Sequence, residues 1–85
     1  MSYRLRLARS AQKKLQSLPR DLALRIDRKI LSLQTDPRPP GTKKLSGEDE
    51  IYRARVGAYR IVYQIKDDQL IVLVIRIGHR KDVYR

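Results

Sequence analysis

The sequence predicts an α+β fold in which two N-terminal helices pack on one face of a small, four-stranded, mainly antiparallel sheet. Segments 2–8, 51–56 and 59–66 alternate apolar and polar or basic residues with the period of a strand. Residues 10–33 place apolar residues at helical spacing. The resulting order, β-α-α-β-β-β, gives the helices one sheet face to cover and leaves an open basic face on the other side.

The N-terminal half contains the first strand and both helices. In segment 2–8, Tyr3, Leu5 and Leu7 alternate with arginines. Ser10 is positioned to cap the first helix, and Pro19 marks the start of the second. The apolar stripes of the two helices comprise Ala11, Leu15, Leu18, Leu22, Ile26, Ile30 and Leu33. The outer cations of the second helix, Arg25, Arg28 and Lys29, are interpreted as a solvated face in preference to ligand contacts.

Segment 35–47 contains three prolines and two glycines, which predicts a loop without regular structure. Such long loops in compact domains are often functional. Lys43 and Lys44 within it could contact a backbone phosphate or simply be solvated. The fourth strand is predicted at 69–77, where both faces are apolar except at Arg76, as is typical of a strand inside a sheet. Gly78 would then let the chain bend away.

The hairpin predicted at 51–66 collects arginines on one face. If Gly57 and Ala58 form a two-residue turn, Arg55 faces Arg60 across the hairpin. Arg53 lies two residues before Arg55 and therefore projects from the same face. Like charges this close repel each other unless an anion binds between them. The pattern favours a site for phosphate groups.

The composition narrows the class of partner. The 85 residues suffice for one domain, and their net charge is +11. Residues 1–44 carry twelve basic and three acidic groups (+9), and residues 45–85 carry eight and six (+2). This charge indicates a polyanionic partner without identifying it. The absence of cysteine excludes disulfides and thiolate chemistry.

The sequence also indicates the compartment. The longest apolar run, at 70–75, is far shorter than the ~20 residues that cross a bilayer. The N-terminal residues are too charged to form a signal peptide. We therefore expect a soluble, cytoplasmic protein that does not associate with a membrane.

The second half carries a specific combination of motifs. Two arginines precede the hairpin turn in I-Y-R-A-R-V-G-A-Y-R, a Tyr-Arg pair follows it, and residues 72–85 read V-L-V-I-R-I-G-H-R-K-D-V-Y-R. Together they resemble the RelE branch of the RelE/ParE superfamily of toxins from type II toxin–antitoxin systems. The likeness is close over residues 45–85. The predicted order of elements extends it over residues 1–85 as a single toxin domain.

The resemblance implies an endoribonuclease that cleaves mRNA in the ribosomal A site, with no metal or other cofactor. It implies three partners: a cognate antitoxin protein, the 70S ribosome and mRNA. It also implies that the toxin–antitoxin complex binds operator DNA through the antitoxin.

The resemblance further implies catalytic roles for Arg60, Arg80 and Tyr84. The 2′-hydroxyl of RNA would attack the adjacent phosphorus, with Tyr84 as base, Arg60 stabilising the phosphorane and Arg80 stabilising the leaving oxygen. Substrate-binding positions are Arg53, Arg55 and His79, to which we add the loop residues Lys43 and Lys44. His79 could instead act as acid or base, since its ordinary pKa is near 6.5, or be a polar turn residue.

Two features depart from the pattern of this branch. Positions 53 and 55 are arginines where some relatives have lysine, which makes bidentate phosphate contact easier. The sequence ends one residue after Tyr84, so the C-terminal helix of longer relatives is not expected.

Two other functions remain open from the sequence. A ParE-like inhibitor of DNA gyrase would share the fold, although that branch generally lacks the arginine and tyrosine set. A non-enzymatic nucleic-acid-binding module would need only the positive charge.

Overall fold

The computed structural model of the chain describes residues 2–47 and 49–79. Its elements are β1 (Arg4–Leu7), α1 (Arg9–Ser17), α2 (Arg20–Ser32), β2 (Lys43–Ser46), β3 (Ile51–Val56), β4 (Tyr59–Lys66) and β5 (Ile71–His79). The strands form one sheet in the order β1-β5-β4-β3-β2. Strand β1 runs parallel to β5, and the other neighbouring strands are antiparallel. The predicted α+β architecture is confirmed, with one strand more than expected.

The additional strand is β2, which lies inside the segment predicted to be a structureless loop. It pairs with the outer edge of β3, where Lys43 faces Arg53 and Lys44 faces Tyr52. The three prolines of the segment all precede β2. The backbone N–H groups of residues 43–46 can therefore donate the hydrogen bonds that pair one strand with another. The loop prediction was wrong here because the unpaired edge of β3, rather than any local pattern, stabilises the strand.

The first helix begins differently from the prediction. It starts at Arg9 after Ala8, without a side-chain cap, so Ser10 lies inside the helix and not at its N-cap. The Ser10 hydroxyl donates a hydrogen bond of 3.0 Å to the backbone oxygen of Ile75 instead. This bond fixes the start of α1 to β5. Pro19 directly precedes α2, as predicted.

The core lies between the helices and one face of the sheet. It comprises Ala11, Ile26, Ile30, Leu33, Tyr52, Ala54, Ile61, Tyr63, Ile65, Val72, Val74 and Ile77. The predicted covered face of the hairpin is confirmed, since Val56 and Tyr59 also pack against this cluster. No helix among the described residues is long and apolar enough to cross a membrane.

A β-bulge in β5 decides which side chains face the core near the end of that strand. Val62 pairs with Arg76 and Tyr63 pairs with Val74, so Ile75 is an extra residue. The bulge reverses the alternation, and Ile77 enters the core while Gly78 pairs with Arg60. Strand β5 continues to His79, so Gly78 lies within the strand and does not bend the chain out at 77 as predicted.

Candidate functional site

Five cations lie together at the β3–β4 hairpin end of the sheet face opposite the helices: Lys43, Arg53, Arg55, Arg60 and Arg76. We name this cluster the basic face. Three further cations, Arg4, Arg6 and Lys66, share the same sheet face at a greater distance from the hairpin turn. Arg55 pairs directly with Arg60 across the β3–β4 hairpin, as the two-residue turn predicted. One row further along the sheet, Val62 is the neighbour of both Arg53 and Arg76, and Arg53 also faces Lys43 on β2. Cross-strand neighbours project from the same face. None of the five strands contains Asp or Glu, so strand residues of opposite charge do not neutralise these cations.

The basic face is less open than predicted. Arg53 and Arg60 are only 6% and 4% exposed, whereas Arg55 is exposed to solvent. Gly78, the β5 neighbour of Arg60, has no side chain, and this leaves room for the arginine to lie along the sheet. Of the three hairpin arginines, Arg53 and Arg60 are therefore held within the structure, whereas Arg55 reaches solvent, as do Lys43 and Arg76.

The electrostatics of this cluster favour an anion. Burial, and then repulsion from Arg55, lower the pKa of the Arg53 guanidinium below its ordinary value. Both effects disfavour the charged form, and a neighbouring negative charge would counteract them. Guanidinium groups bind the paired oxygens of a phosphate or a carboxylate, so the cluster is suited to an anion of this shape.

The two lysines predicted to bind substrate lie on opposite faces of the sheet. Lys43 faces Arg53 and belongs to the basic face. Lys44 pairs with Tyr52 on the helix-covered face, and its Nζ donates to Glu50 Oε1 at 3.2 Å. This hydrogen bond raises the pKa of Lys44. The structure therefore brings Lys43, but not Lys44, to the arginines.

His79 also lies away from the arginines. It pairs with Tyr59, and the two rings meet edge to face with centroids 5.5 Å apart. Because Tyr59 packs against the core, His79 projects from the helix-covered side of the sheet. The bulge at Ile75 causes this placement, which sequence alternation alone does not reveal.

The other predicted catalytic residues, Arg80 and Tyr84, lie outside the described residues. Three described tyrosines are engaged through their hydroxyl groups. Tyr3 donates to Asp67 at 2.5 Å, Tyr52 to Glu50 at 2.9 Å, and Tyr63 to the Pro37 oxygen at 2.7 Å. Burial raises the pKa of Tyr63 to about 12, and the hydrogen bond to Asp67 raises the pKa of Tyr3. Tyr3 and Tyr63 are therefore poorly suited to act as bases.

Sequence reasoning missed a groove beside the arginines. This cavity of about 270 Å³ lies where α2, the 40–42 turn and β3 meet, and it is lined by Lys29, Pro40, Gly41, Thr42, Ala54 and Arg55. Lys29 was interpreted as part of a solvated helix face. Its spacing of four residues from Arg25 is the one sequence signal that places two cations on the same rim.

Comparison with known proteins identifies the class of protein to which this chain belongs. The family model for the ParE toxin of type II toxin–antitoxin systems, parDE, matches residues 5–84. The chain belongs to this family of toxins. The resemblance to the RelE/ParE superfamily is thus confirmed.

The similar proteins carry RelE-type names. Toxin RelG of Mycobacterium tuberculosis is 34% identical over 89 residues, covering 100% of this chain and 99% of the relative. The mRNA interferase toxin RelE of Escherichia coli K12 is 29% identical, covering 95% of this chain and 86% of the relative.

Solved structures of RelE toxins share the fold. The archaeal RelE–RelB complex from Pyrococcus horikoshii OT3 matches with a TM-score of 0.85 and 29% identity, over 94% of this chain and 97% of the matched chain. The isolated E. coli RelE toxin matches with a TM-score of 0.80 and 29% identity, over 98% and 92%. These structures support the RelE branch of the superfamily.

Proposed function

We propose that this toxin is an endoribonuclease that cleaves mRNA in the ribosomal A site without a metal ion. The observation that carries the proposal is the direct pairing of Arg55 with Arg60, beside Arg53, on a sheet face whose strands contain no acidic residue. A similar protein named as an mRNA interferase supports the reaction class.

In the proposed reaction, the 2′-oxygen of one nucleotide bonds to the adjacent phosphorus as the bond from phosphorus to the 5′-oxygen breaks. A base takes the 2′-hydroxyl proton, the leaving 5′-oxygen takes a proton from water, and a 2′,3′-cyclic phosphate remains. Negative charge accumulates on the non-bridging oxygens in between. Arg60, buried and therefore restricted in position, stabilises that charge, which is the role of a preorganised cation.

The exposed and the buried arginines have different roles in binding the RNA backbone. Arg55 reaches solvent and makes the first contact with the RNA backbone. Arg53 and Lys43 hold a neighbouring phosphate, so that the backbone bends toward the in-line geometry of attack. This orientation is provided by position and charge and requires no proton transfer by the arginines.

Tyr84 is the proposed base, and Arg80 the proposed partner of the leaving oxygen. A phenol with a pKa near 10 becomes a usable base when guanidinium groups stabilise its phenolate. Arginine holds its proton too firmly to act as an acid, so the role of Arg80 is electrostatic. The pairing of His79 with Tyr59 on the helix-covered side favours Tyr84 over His79 as the base.

The proposed partners follow from the same class. Solved relatives are RelE–RelB complexes, which supports a cognate antitoxin for this chain. We include the 70S ribosome and mRNA as the site and substrate of the reaction. We also include operator DNA, bound by the toxin–antitoxin complex through the antitoxin.

The proposal is tested by inducing the chain in cells, mapping mRNA 5′ ends and assaying DNA supercoiling. Codon-phased cuts are expected with supercoiling intact. Arg60→Ala should lower the cleavage rate by about 10²–10³-fold, because it removes a preorganised cation from the transition state. Arg60→Ala and Arg80→Ala should each abolish growth inhibition while leaving a folded protein.

The matched control is Arg4→Ala, an exposed arginine on β1 at the far edge of the sheet. It removes the same charge and should leave cleavage unchanged. A fully toxic Arg60→Ala variant would refute the site. Loss of supercoiling with intact mRNA would indicate a gyrase inhibitor instead, and neither effect would indicate a binding module.

A further inference from the structure

We propose that the groove between α2 and β3 binds a second backbone phosphate of the RNA strand, beyond the phosphate held at Arg60. The α2 groove is lined by Lys29, Arg55 and the 40–42 turn, and it continues the basic face around the edge of the sheet. This inference rests on the proposed function for the identity of the strand that enters it.

The groove exists because β2 is shorter than β3. Strand β2 begins at Lys43, opposite Arg53, so it leaves the rest of the outer edge of β3 uncovered. In a two-residue hairpin the closing pair, here Val56 and Tyr59, is hydrogen-bonded, and the backbone of Arg55 therefore points away from β4. The N–H of Arg55 is consequently directed toward the groove as a further donor to an anion.

The lining is cationic and contains no carboxylate. Lys29 comes from the last turns of α2 and Arg55 from β3, so the two cations approach the cavity from separate elements. The ion pairs among the described residues are made by Arg38 and Lys44, and none is made by Lys29 or Arg55. Both cations are therefore available to an external anion.

The cations of α2 extend this track toward the hairpin turn. Arg25 lies one helical turn before Lys29, and its Nη2 is 3.5 Å from the position that a Cβ would occupy at Gly57. A chain of phosphates leaving Arg55 thus passes Lys29 and Arg25, which lie on the same rim of the groove. At about 270 Å³ the cavity lies below the ~300–1,000 Å³ of pockets that enclose drug-sized ligands. It suits one phosphate of a polymer better than a separate cofactor.

An acidic peptide is the competing occupant, and the observations favour RNA. The uncovered edge of β3 offers the outward backbone groups of one residue, Arg55, which is too short for an added strand to gain the ladder bonds that give a peptide its affinity. A phosphate needs only the cations and one N–H, which the groove supplies.

The test measures binding of the full chain to a 2′-O-methyl single-stranded RNA, which cannot be cleaved, as a function of salt. Lys29→Gln is compared with Lys13→Gln, which removes the same charge from the exposed face of α1. If Lys29 contacts a phosphate, the slope of log K against log salt should fall by about 0.7 in Lys29→Gln and not in Lys13→Gln. Unchanged thermal unfolding of both variants establishes that each is folded.

A double-mutant cycle tests whether Lys29 and Arg55 hold the same phosphate. Lys29→Gln and Arg55→Gln should be non-additive if both cations hold one phosphate, whereas Lys13→Gln and Arg55→Gln should be additive. Equal slopes for the two lysine variants would overturn the inference. It would also be overturned if Lys29→Gln weakened binding of poly-glutamate while leaving the RNA slope unchanged.

The outcome is separable from that of the proposed function. If the wild-type chain fails to cut mRNA but Lys29→Gln still lowers the RNA slope, the groove is a phosphate site and the nuclease proposal fails. If the chain cuts mRNA and the two lysine variants behave alike, the reaction stands and the groove assignment fails.

Discussion

Arg53 and Arg60 are nearly buried, whereas the adjacent Arg55 is exposed. Burying a guanidinium group costs solvation free energy, and neighbouring positive charge adds to that cost. In the proposed function, a phosphate of the bound RNA offsets part of this cost.

A second buried polar group, the Tyr63 hydroxyl, has a structural role. It donates to the Pro37 oxygen at 2.7 Å and fixes the proline-rich segment against β4. Tyr63→Phe should lower the free energy of unfolding by about 1–3 kcal/mol, because it leaves a buried carbonyl without its donor. Urea denaturation followed by circular dichroism measures the change.

Tyr59→Phe is the matched control. The Tyr59 hydroxyl donates no hydrogen bond to any described residue, so its removal should change stability by less. Equal losses in the two variants would mean that the Tyr63 bond contributes nothing measurable.

At the scale of elements, the β3–β4 hairpin determines which arginines face each other. Its register follows from the two-residue turn, since a slip of one residue would move every side chain to the opposite face. Gly57 occupies the first central position of the turn with φ of +59°. Glycine is favoured there because it adopts this left-handed conformation without a steric penalty.

Gly57→Ala should destabilise the fold by about 1–2 kcal/mol through this backbone conformation. Space is not the cause, since the new Cβ would meet Arg25 at an ordinary contact distance of 3.5 Å. Thermal unfolding at matched concentration measures the effect.

Gly47→Ala provides the comparison for the turn. Gly47 lies outside the left-handed region, and a Cβ there meets no atom within 4 Å. It should be close to neutral. A Gly57→Ala variant as stable as Gly47→Ala would show that the turn tolerates an ordinary residue.

At the scale of the whole molecule, a polar cluster joins segments far apart in the sequence. Arg38 donates to Asp67 at 2.8 Å, to Glu50 at 3.3 Å and to the Tyr52 hydroxyl at 3.0 Å. Tyr3, beside β1, donates to the same aspartate. The cluster thereby connects the segment after α2 to the start of β1, the start of β3 and the turn between β4 and β5.

The cluster should make the stability of the fold depend on pH in the acidic range. The hydrogen bond from Arg38 lowers the pKa of Asp67, and that from Tyr52 lowers the pKa of Glu50. Carboxylates with lowered pKa values stabilise the fold above the unfolded-state pKa, about 4, and this contribution disappears as pH falls through the folded-state values. Urea midpoints should therefore decline below about pH 4.

Asp67→Asn should reduce that decline and lower stability at neutral pH by about 0.2–1 kcal/mol, because these ion pairs are largely exposed. Asp68→Asn is the control, since Asp68 makes no ion pair with the described residues. If both variants retain the full acid dependence, the cluster is not its source.

The sequence by itself determined the helices, the hairpin and the pairing of Arg55 with Arg60. These depend on short-range periodicity and on a two-residue turn, whose consequences are local. The same reasoning sufficed to identify the family on the motifs of residues 45–85. It correctly placed the covered face of the hairpin, because alternation alone decides which side chains meet the helices.

Only the tertiary structure decided β2, the orientation of His79 and the groove at Lys29. Strand β2 forms because β3 offers an unpaired edge, and the bulge at Ile75 moves His79 to the helix-covered side. Lys29 and Arg55 line one groove only after α2 packs across the sheet. Each of these depends on contacts between residues distant in sequence, and such contacts leave no periodic signal in the chain itself.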